Sequence, residues 1–331
     1  MAVTINGTSG VSLAGQFDSA SSFGFKNRII NGQMQIAQRA TSATITAGST
    51  IAAGYSTVDR FYVYCTGANV TAAQVAGSGA IKNNLQITGA ASVTAIGVGQ
   101  RIEQLNSYDM AGSNATLSVN LSNSLLTTVT WTAYYATTAD TFGTLASPTR
   151  TQIATGTFTV TSTLTNYSTQ ISIPAAATTG IEVVFTVGAQ TSGTWVIGNV
   201  QLEESSVATS FDYRPYGTEL ALCQRYFVGT GFGNMGICTN TTTSWNMSHT
   251  FPVAMRASPT LISYSGTLGT TNAMTDAYVQ DYILTTAIGS IINAGTTGAR
   301  TSGWTTNNAG AGGRIAMWNS TTAVIQFSAE L

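Results

Sequence analysis

The chain has 331 residues and a formal net charge of -1, with 43% hydrophobic and 8% charged residues. This composition excludes a disordered polyelectrolyte and offers no basic surface to nucleic acid or an anionic membrane. Three cysteines, far apart in the chain, argue against a disulfide framework. With Lys26 and Lys82 as its lysines, the chain either closes its sheet edges or covers them with partner subunits, and we favour partner subunits.

Residues 1–26 are small and polar, with too few aliphatic side chains for a hydrophobic core. They lack the basic start and continuous apolar segment of a signal peptide. No stretch of the chain approaches the ~18–20 apolar residues that cross a membrane, so we expect no membrane insertion. We expect an extended attachment arm, and the alternative is a frayed terminus.

Residues 27–216 contain short segments in which apolar residues alternate with Thr or Ser, the period-2 pattern of half-buried strands. Gly, Asn, Pro and Ala-Thr clusters separate these segments, and no helical period appears. The pattern predicts a β-sandwich or jelly roll. The predicted strands are Val58–Cys65, Ala115–Leu121, Thr127–Ala136, Gly156–Thr163, Thr169–Ile173, Gly180–Val187 and Gly193–Leu202.

A turn and a short helix follow this first region. Arg214–Gly217 has turn chemistry, because proline fixes φ and glycine permits positive φ. Thr218 is predicted to cap the helix, with Glu219 in its first turn. Its apolar side would consist of Leu222, Tyr226 and Phe227.

Residues 217–331 are predicted to contain this linking helix and a second, smaller β domain. Gly and Thr dominate its connections, notably Ala294–Gly313. The predicted strands are Ser248–Phe251, Thr260–Tyr264, Tyr278–Ile283, Arg314–Trp318 and Ala323–Phe327.

Six segments resemble, in the same order, the receptor-binding tail fibre proteins of bacteriophages. They are Asn27–Arg39 (NRIINGQMQIAQR), Asp59–Phe61 (DRF), Gln100–Glu103 (QRIE), Asp212–Phe227 (DYRPYGTELALCQRYF), Phe251–Thr260 and Phe327–Leu331. The resemblance implies a homotrimer with a jelly-roll middle domain and a distal domain that faces the receptor. It supplies no binding residue that can be transferred to this chain.

Few residues of the chain suit catalysis, and we predict no enzyme activity. His249 is interpreted as a structural or surface histidine. Glu203 and Glu204 are adjacent in a predicted strand, so they would point to opposite sides and cannot form a glycosidase pair. Asp276 and Asp281 are interpreted as solvated carboxylates.

No cofactor or metal site is predicted. Gly231–Gly236 matches the spacing G-x-G-x-x-G, but it follows no βαβ unit and opens no helix, so it does not indicate a dinucleotide site. No Cys/His spacing suits zinc, and no acidic pattern suits an EF-hand. The sequence does not test for a calcium ion held by backbone carbonyls.

Aromatic and amide side chains remain as candidates for glycan binding, because aromatic rings stack on apolar sugar faces while amides bind hydroxyls. Trp304 is the strongest candidate, since it is a large aromatic residue in a segment that reads as a loop; a structural role remains the alternative. The other candidates are Asn307, Asn308, Trp245, Tyr278 and Trp318. Trp131 and Trp195 lie in predicted strands and are expected in the core.

The sequence therefore predicts an all-β homotrimeric tail fibre protein that attaches a virion to a host surface polysaccharide without catalysis. Residues 1–26 would dock on a tail or baseplate protein. We expect assembly in the host cytoplasm and a final location on the virion tail. The alternatives are a polysaccharide depolymerase, a free carbohydrate-binding module or adhesin, and a purely structural virion component.

Overall fold

A computed structural model of the chain describes residues 4–6, 10–12, 25–48, 54–144, 147–230, 235–238, 244–265, 274–276, 282–283, 285–287, 290–306, 315–318 and 324–331. They divide into two units, Met1–Tyr216 with Leu331 and Gly217–Glu330, each described by itself. Both are built mainly of β-strands, which confirms the predicted all-β class. Among the described helices, none is long and apolar enough to cross a membrane.

The first unit consists of strands with two short 3₁₀ turns, Gln104–Asn106 and Tyr108–Met110. Its strands are β1 (Thr4–Asn6), β2 (Gly10–Ser12), β3 (Ser42–Ile45), β4 (Tyr62–Thr66), β5 (Val70–Ala76), β6 (Asn83–Thr88), β7 (Ala95–Ile102), β8 (Asn114–Asn123), β9 (Thr128–Ala136), β10 (Arg150–Thr159), β11 (Thr165–Ser172), β12 (Ile181–Val187) and β13 (Thr194–Glu204).

Two antiparallel sheets form the β-sandwich. One has the strand order β10-β9-β12-β7-β4, and the other has the order β11-β8-β13-β6-β5-β3. Alternate residues of both sheets fill the space between them, as the period of two predicts, and this buried layer includes Trp131 and Trp195. The prediction that both tryptophans belong to the core is confirmed.

Residues 1–26 contain a small hairpin, because β1 and β2 pair antiparallel. Residues 1–3, 7–9 and 13–24 lie outside the described residues. The docking role predicted for this arm stays a prediction.

The strands richest in β-branched and aromatic residues were predicted, whereas four strands with weaker local signals were missed. The predicted strand Val58–Cys65 begins only at Tyr62, since the backbone turns at Arg60, where φ is 71°. The sequence analysis missed β3, β5, β6 and β7. In β5 (VTAAQVA) and β7 (AIGVGQRI), alanine and glycine weaken the local strand signal.

Asn27 and Gly32, in the segment NRIING, join the amino-terminal part of the sandwich to β13. Asn27 Oδ1 accepts hydrogen bonds from the amides of Ile29 at 2.9 Å and Leu202 at 3.1 Å. Its Nδ2 donates to the carbonyl of Val200 at 3.0 Å. A Cβ atom at Gly32 would lie 2.1 Å from that same carbonyl oxygen, so only glycine fits this approach. These contacts tie the NRIING segment to β13 and stabilise the sandwich.

Three other segments of the resemblance, those that contain Asp59, Gln100 and Arg214, contact the NRIING segment within the first unit. Asn31, in the left-handed region at φ 59°, donates from Nδ2 to the carbonyl of Asp59 at 3.0 Å. The Gln100 side chain accepts from the amide of Ile30 and donates to its carbonyl, both at 2.8 Å. Arg214 donates to backbone carbonyls of the NRIING segment. The shared motifs therefore form one structural brace.

The second unit contains the helix and two sheets. The elements are α1 (Tyr216–Gln224), β14 (Phe227–Thr230), β15 (Met235–Cys238), β16 (Ser244–Thr250), β17 (Thr260–Ser265), β18 (Met274–Asp276), β19 (Tyr282–Ile283), β20 (Thr285–Ala287), β21 (Ser290–Ala294), β22 (Gly298–Thr306), β23 (Ile315–Trp318) and β24 (Val324–Ser328). One sheet has the order β14-β24-β17. The other has the order β19-β18-β23-β15-β16-β22-β20, with β21 also paired to β22.

Three local predictions in this region were wrong. The helix begins at Tyr216, so Thr218 lies inside it rather than at its cap. Pro215 directly precedes the helix, and its fixed φ suits a helix start. Of its predicted apolar side, only Leu222 lies in the helix, since Tyr226 follows its end at Gln224 and Phe227 belongs to β14. The predicted connection Ala294–Gly313 contains β22, because its Thr-rich residues pair with β16 and β21.

Candidate functional site

Aromatic and charged side chains cover the face of the five-stranded sheet that points away from the core of the sandwich. Period-2 alternation in β4 sends Val63 and Cys65 into the core and places Tyr62 and Tyr64 on the opposite face. We call this surface the tyrosine face. Its aromatic and charged members are Tyr62, Tyr64, Arg101, Tyr134, Arg150 and Glu182. It also includes Gly97 and Gly99 of β7 and five threonines: Thr130, Thr132, Thr155, Thr157 and Thr186.

Two glycines in β7 allow the tyrosine rings to lie across the sheet. Gly97 is the register partner of Tyr64, and Gly99 is the partner of Tyr62. A Cβ atom at Gly97 would lie 2.2 Å from both Cε1 and Cζ of Tyr64. A Cβ atom at Gly99 would lie 2.3 Å from Oη of Tyr62. Each phenol end therefore rests directly on glycine backbone, and the alternating G-V-G of β7 creates that space.

Glu182 lies at the centre of the tyrosine face and is fully buried. Its Oε1 accepts from Arg101 Nε at 2.8 Å and from Tyr62 Oη at 2.8 Å. Its Oε2 forms an ion pair with Arg150 Nη1. Burial first, and then the negative charge of Glu182, raise the pKa of Tyr62 well above its ordinary value, so its phenol stays a donor.

The second half of the face combines a ring with a guanidinium. Arg150 lies with Cζ 3.9 Å from the centroid of the Tyr134 ring, which is a cation–π contact. Its ion pair with Glu182 fixes it there. Tyr64 and Tyr134 remain partly exposed, whereas Tyr62 is covered. Burial also raises the pKa of Tyr64. Of the half-exposed rings, Tyr134 thus packs on the guanidinium of Arg150, and Tyr64 stacks on the buried Tyr62.

Threonine hydroxyls continue the face towards β10. The register of the sheet aligns Tyr64 with Gly97, Thr186, Thr130 and Thr157 in one row across five strands. Thr157 is exposed, and Thr130 and Thr186 are half-buried. In the next row Thr132 and Thr155 share a hydrogen bond of 3.0 Å between their Oγ1 atoms. The result is a row of neutral hydroxyls beside an aromatic ring.

Such a surface suits non-covalent recognition better than catalysis. An aromatic ring offers an apolar face, and hydroxyls and a guanidinium supply hydrogen bonds at its border. Both oxygens of Glu182 are engaged by cationic or phenolic donors. That carboxylate is therefore not available as a general acid or nucleophile.

The structure assembles only part of the site that the sequence predicted in the second unit. Trp304 lies in β22, not in a loop, and is the register partner of Trp245 in β16. Trp318 lies at the end of β23, which β15 separates from β16. Tyr278, Asn307 and Asn308 lie outside the described residues. Glycan binding by these six residues stays a prediction.

The described residues considered for catalysis lie on three different strands, β16, β13 and β18. His249 is 2% exposed, with its ring 5.0 Å from that of Phe327, and burial lowers its pKa to about 4. Glu203 is buried and Glu204 is exposed, as expected for neighbours in a strand. Asp276 lies in β18, and Asp281 lies outside the described residues.

The sequence analysis missed the tyrosine face. Two signals were present: the alternation Y-V-Y-C in β4 and the spaced glycines of β7. These two patterns indicate a joint surface only once the register that pairs β4 with β7 is known. Nothing local marks that pairing.

No family model matches the sequence, and no curated protein matches it. Solved structures similar to it include the enzymatically active domain of tailspike protein 4 of bacteriophage CBA120, with 17% identity over 54% of this chain and a TM-score of 0.32. The chain spans 21% of that tailspike chain.

Two further similar structures are TmCBM61 in complex with β-1,4-galactotriose and the family 11 carbohydrate-binding module of a cellulosomal cellulase of Clostridium thermocellum. The first has 10% identity, covers 54% of this chain and 99% of the other, and has a TM-score of 0.33. The second has 12% identity, covers 46% and 92%, and has a TM-score of 0.30. Likeness at this level carries no argument about function.

Proposed function

We propose that this chain is a non-catalytic attachment protein of a phage tail fibre, and that the tyrosine face is one of its glycan-binding surfaces. One observation carries the binding proposal. The Tyr64 ring rests on the Gly97 backbone, partly exposed, at one end of a row of threonine hydroxyls.

The physical match is with a sugar. A pyranose ring has an apolar face of C–H groups and a rim of hydroxyls, which need a flat aromatic surface and neutral hydrogen-bonding groups. Tyr64 supplies the surface, and Thr130, Thr186 and Thr157 supply hydroxyls along one line. Because Glu182 already neutralises part of the arginine charge, we expect the binding of neutral sugars to change little with salt.

The assignment to a tail fibre rests on the resemblance of Asn27–Arg39 and Asp212–Phe227 to that family. In this proposal the chain forms a homotrimer on the virion tail, and residues 1–26 dock on a tail or baseplate protein. Once one of the three weak glycan sites on a fibre has bound, the other two are held at a high effective concentration near the cell surface. The fibre therefore adsorbs firmly although each site is weak. The distal set around Trp304 is a second proposed contact with the same class of ligand.

The test uses the whole chain on an array of bacterial capsular and O-antigen polysaccharides, with Tyr64→Ala and Trp304→Ala beside the unmodified protein. Tyr213→Ala is the matched control, because Tyr213 is 49% exposed and lies outside the tyrosine face. Circular dichroism and thermal unfolding check that each variant is folded.

We expect Tyr64→Ala to lose signal and the control to keep it. Loss with Trp304→Ala alone would move the site to the second unit. Absence of any signal from the unmodified chain would contradict glycan binding altogether. Release of reducing ends from a bound polysaccharide would contradict the non-catalytic assignment.

A further inference from the structure

One side of the sandwich presents two long strands at the ends of its sheets. β10 has ten residues and is the end strand of the five-stranded sheet, and β11 has eight residues and is the end strand of the six-stranded sheet. The two strands follow each other in sequence and are in contact. Among the described residues, no strand pairs with the outer edge of either.

The two sides of the sandwich differ in edge protection. On the opposite side the end strands are β4, with five residues, and β3, with four, and short edges are poor templates for further pairing. Residues 151–172, which span nearly all of β10 and β11, contain no charged residue and no proline. Lysine, proline and brevity are the usual protections of an edge strand, and this edge has none of them.

Protective features are confined to the start of β10, where Arg150 is charged and a β-bulge follows it. The bulge lies between Gln152 and Ala154. Thr155–Thr159 then pair with β9 in unbroken register. This half of the strand presents a straight, neutral edge whose outward amides and carbonyls are available for a further strand.

We infer that this β10–β11 edge is a subunit interface, occupied by a second copy of this chain. The partner of such an edge must be a β-strand surface without charge, since an unpaired charge would be buried against threonine and glutamine. Each copy of the chain carries that surface in the same β10–β11 hairpin and presents it at the same concentration. A salt-insensitive contact follows, because no ion pair contributes to it.

The interface and the aromatic end of the tyrosine face lie at opposite ends of the five-stranded sheet, although Thr157 of β10 belongs to the threonine row. The side chain of Tyr64 in β4 lies at the opposite end of the sheet from β10, so pairing at the edge leaves that ring accessible. Failure of the glycan proposal would therefore leave this inference standing, and the reverse also holds.

The experiment compares the mass in solution of three forms by light scattering at micromolar concentration, in low and high salt. The edge variant is Thr159→Lys with Gln170→Lys, which places one lysine on an exposed position of each edge strand, outside the threonine row assigned to glycan binding. The control is Thr71→Lys with Ser192→Lys, which adds the same charge at exposed positions away from this edge.

We expect the unmodified chain and the control to have a multiple of the 34.3 kDa chain mass, unchanged by salt. The edge variant is expected at 34.3 kDa, with association weakened at least 100-fold and an unchanged circular dichroism spectrum. An edge variant that keeps the mass of the unmodified oligomer would overturn the inference, as would a monomeric unmodified chain.

Hydrogen exchange on the unmodified chain tests the same point without a substitution. The outward-facing amides within Thr155–Thr159, which do not bond to β9, should exchange at least 10-fold more slowly in the concentrated oligomer than after dilution to monomer. Equal exchange in the two states would overturn the assignment to β10, even if the protein is oligomeric. Pairing with a strand of another virion protein instead would appear as a monomer whose β10 becomes protected only on adding purified tail proteins.

Discussion

Glu182→Gln is predicted to destabilise the first unit strongly. Glu182 is fully buried, and its substitution leaves the side chains of Arg101, 2% exposed, and Arg150, 13% exposed, without their counter-ion. Removing one partner of a buried ion pair typically costs 3–5 kcal/mol. Because Arg150 reaches some solvent, we expect about 3 kcal/mol, a large part of the 5–15 kcal/mol of a typical domain.

The assay is urea unfolding followed by the fluorescence of Trp131 and Trp195, which are buried in the same sandwich. Glu204→Gln is the control, because Glu204 is a glutamate of the same unit whose side chain is exposed to solvent. A double variant that also carries Arg150→Met should recover part of the loss, since it removes one of the unpaired charges. A loss below about 1 kcal/mol for Glu182→Gln would refute the reasoning, because it would mean that water solvates the cluster.

Three further predictions concern single residues. Gly97→Ala should weaken glycan binding with little change in thermal stability, because the new Cβ displaces the partly exposed Tyr64 ring. Stacking of a sugar on that ring contributes about 0.5–1.5 kcal/mol, so we expect a loss of affinity of roughly 2- to 12-fold. Unchanged affinity in a titration would contradict this prediction. The second unit should lose stability as pH falls from 6.5 to about 4, because burial depresses the pKa of His249 and the unfolded chain then binds the proton more readily. That fall in pKa corresponds to about 3 kcal/mol, and His249→Phe should abolish this pH dependence in thermal unfolding scans. Asn27→Ala should cost about 2 kcal/mol in urea unfolding, since it leaves buried backbone groups of Ile29 and Leu202 without partners; a loss below 0.5 kcal/mol would contradict the brace.

The fold class follows from the alternation of apolar and hydroxyl residues, and this part of the sequence analysis succeeded. It worked for β9 and β12, where β-branched and aromatic residues mark both strand and core face. It failed for β5 and β7, whose alanines and glycines have weak strand propensity and are held in place by their neighbours. Tertiary pairing, rather than local preference, defines those strands.

The candidate site was harder to predict than the fold. Trp304 was selected because the sequence around it is typical of a loop. In the structure these residues form β22, which pairs with β16. The tyrosine face depends on Gly97 lying opposite Tyr64, thirty-three positions away in the sequence, which no local pattern specifies. Its charged layer also joins residues from three different strands. Sequence periodicity predicts on which face of the sheet each residue lies, but it does not predict which residues of neighbouring strands lie beside it.

The most direct test of glycan binding at the tyrosine face is calorimetric titration of a purified host polysaccharide into the unmodified chain, Tyr64→Phe and Tyr64→Ala. Stacking on the ring predicts that phenylalanine keeps the affinity within about 3-fold, whereas alanine lowers it by roughly 10-fold or more. Equal affinity of the alanine variant and the unmodified chain would contradict the account.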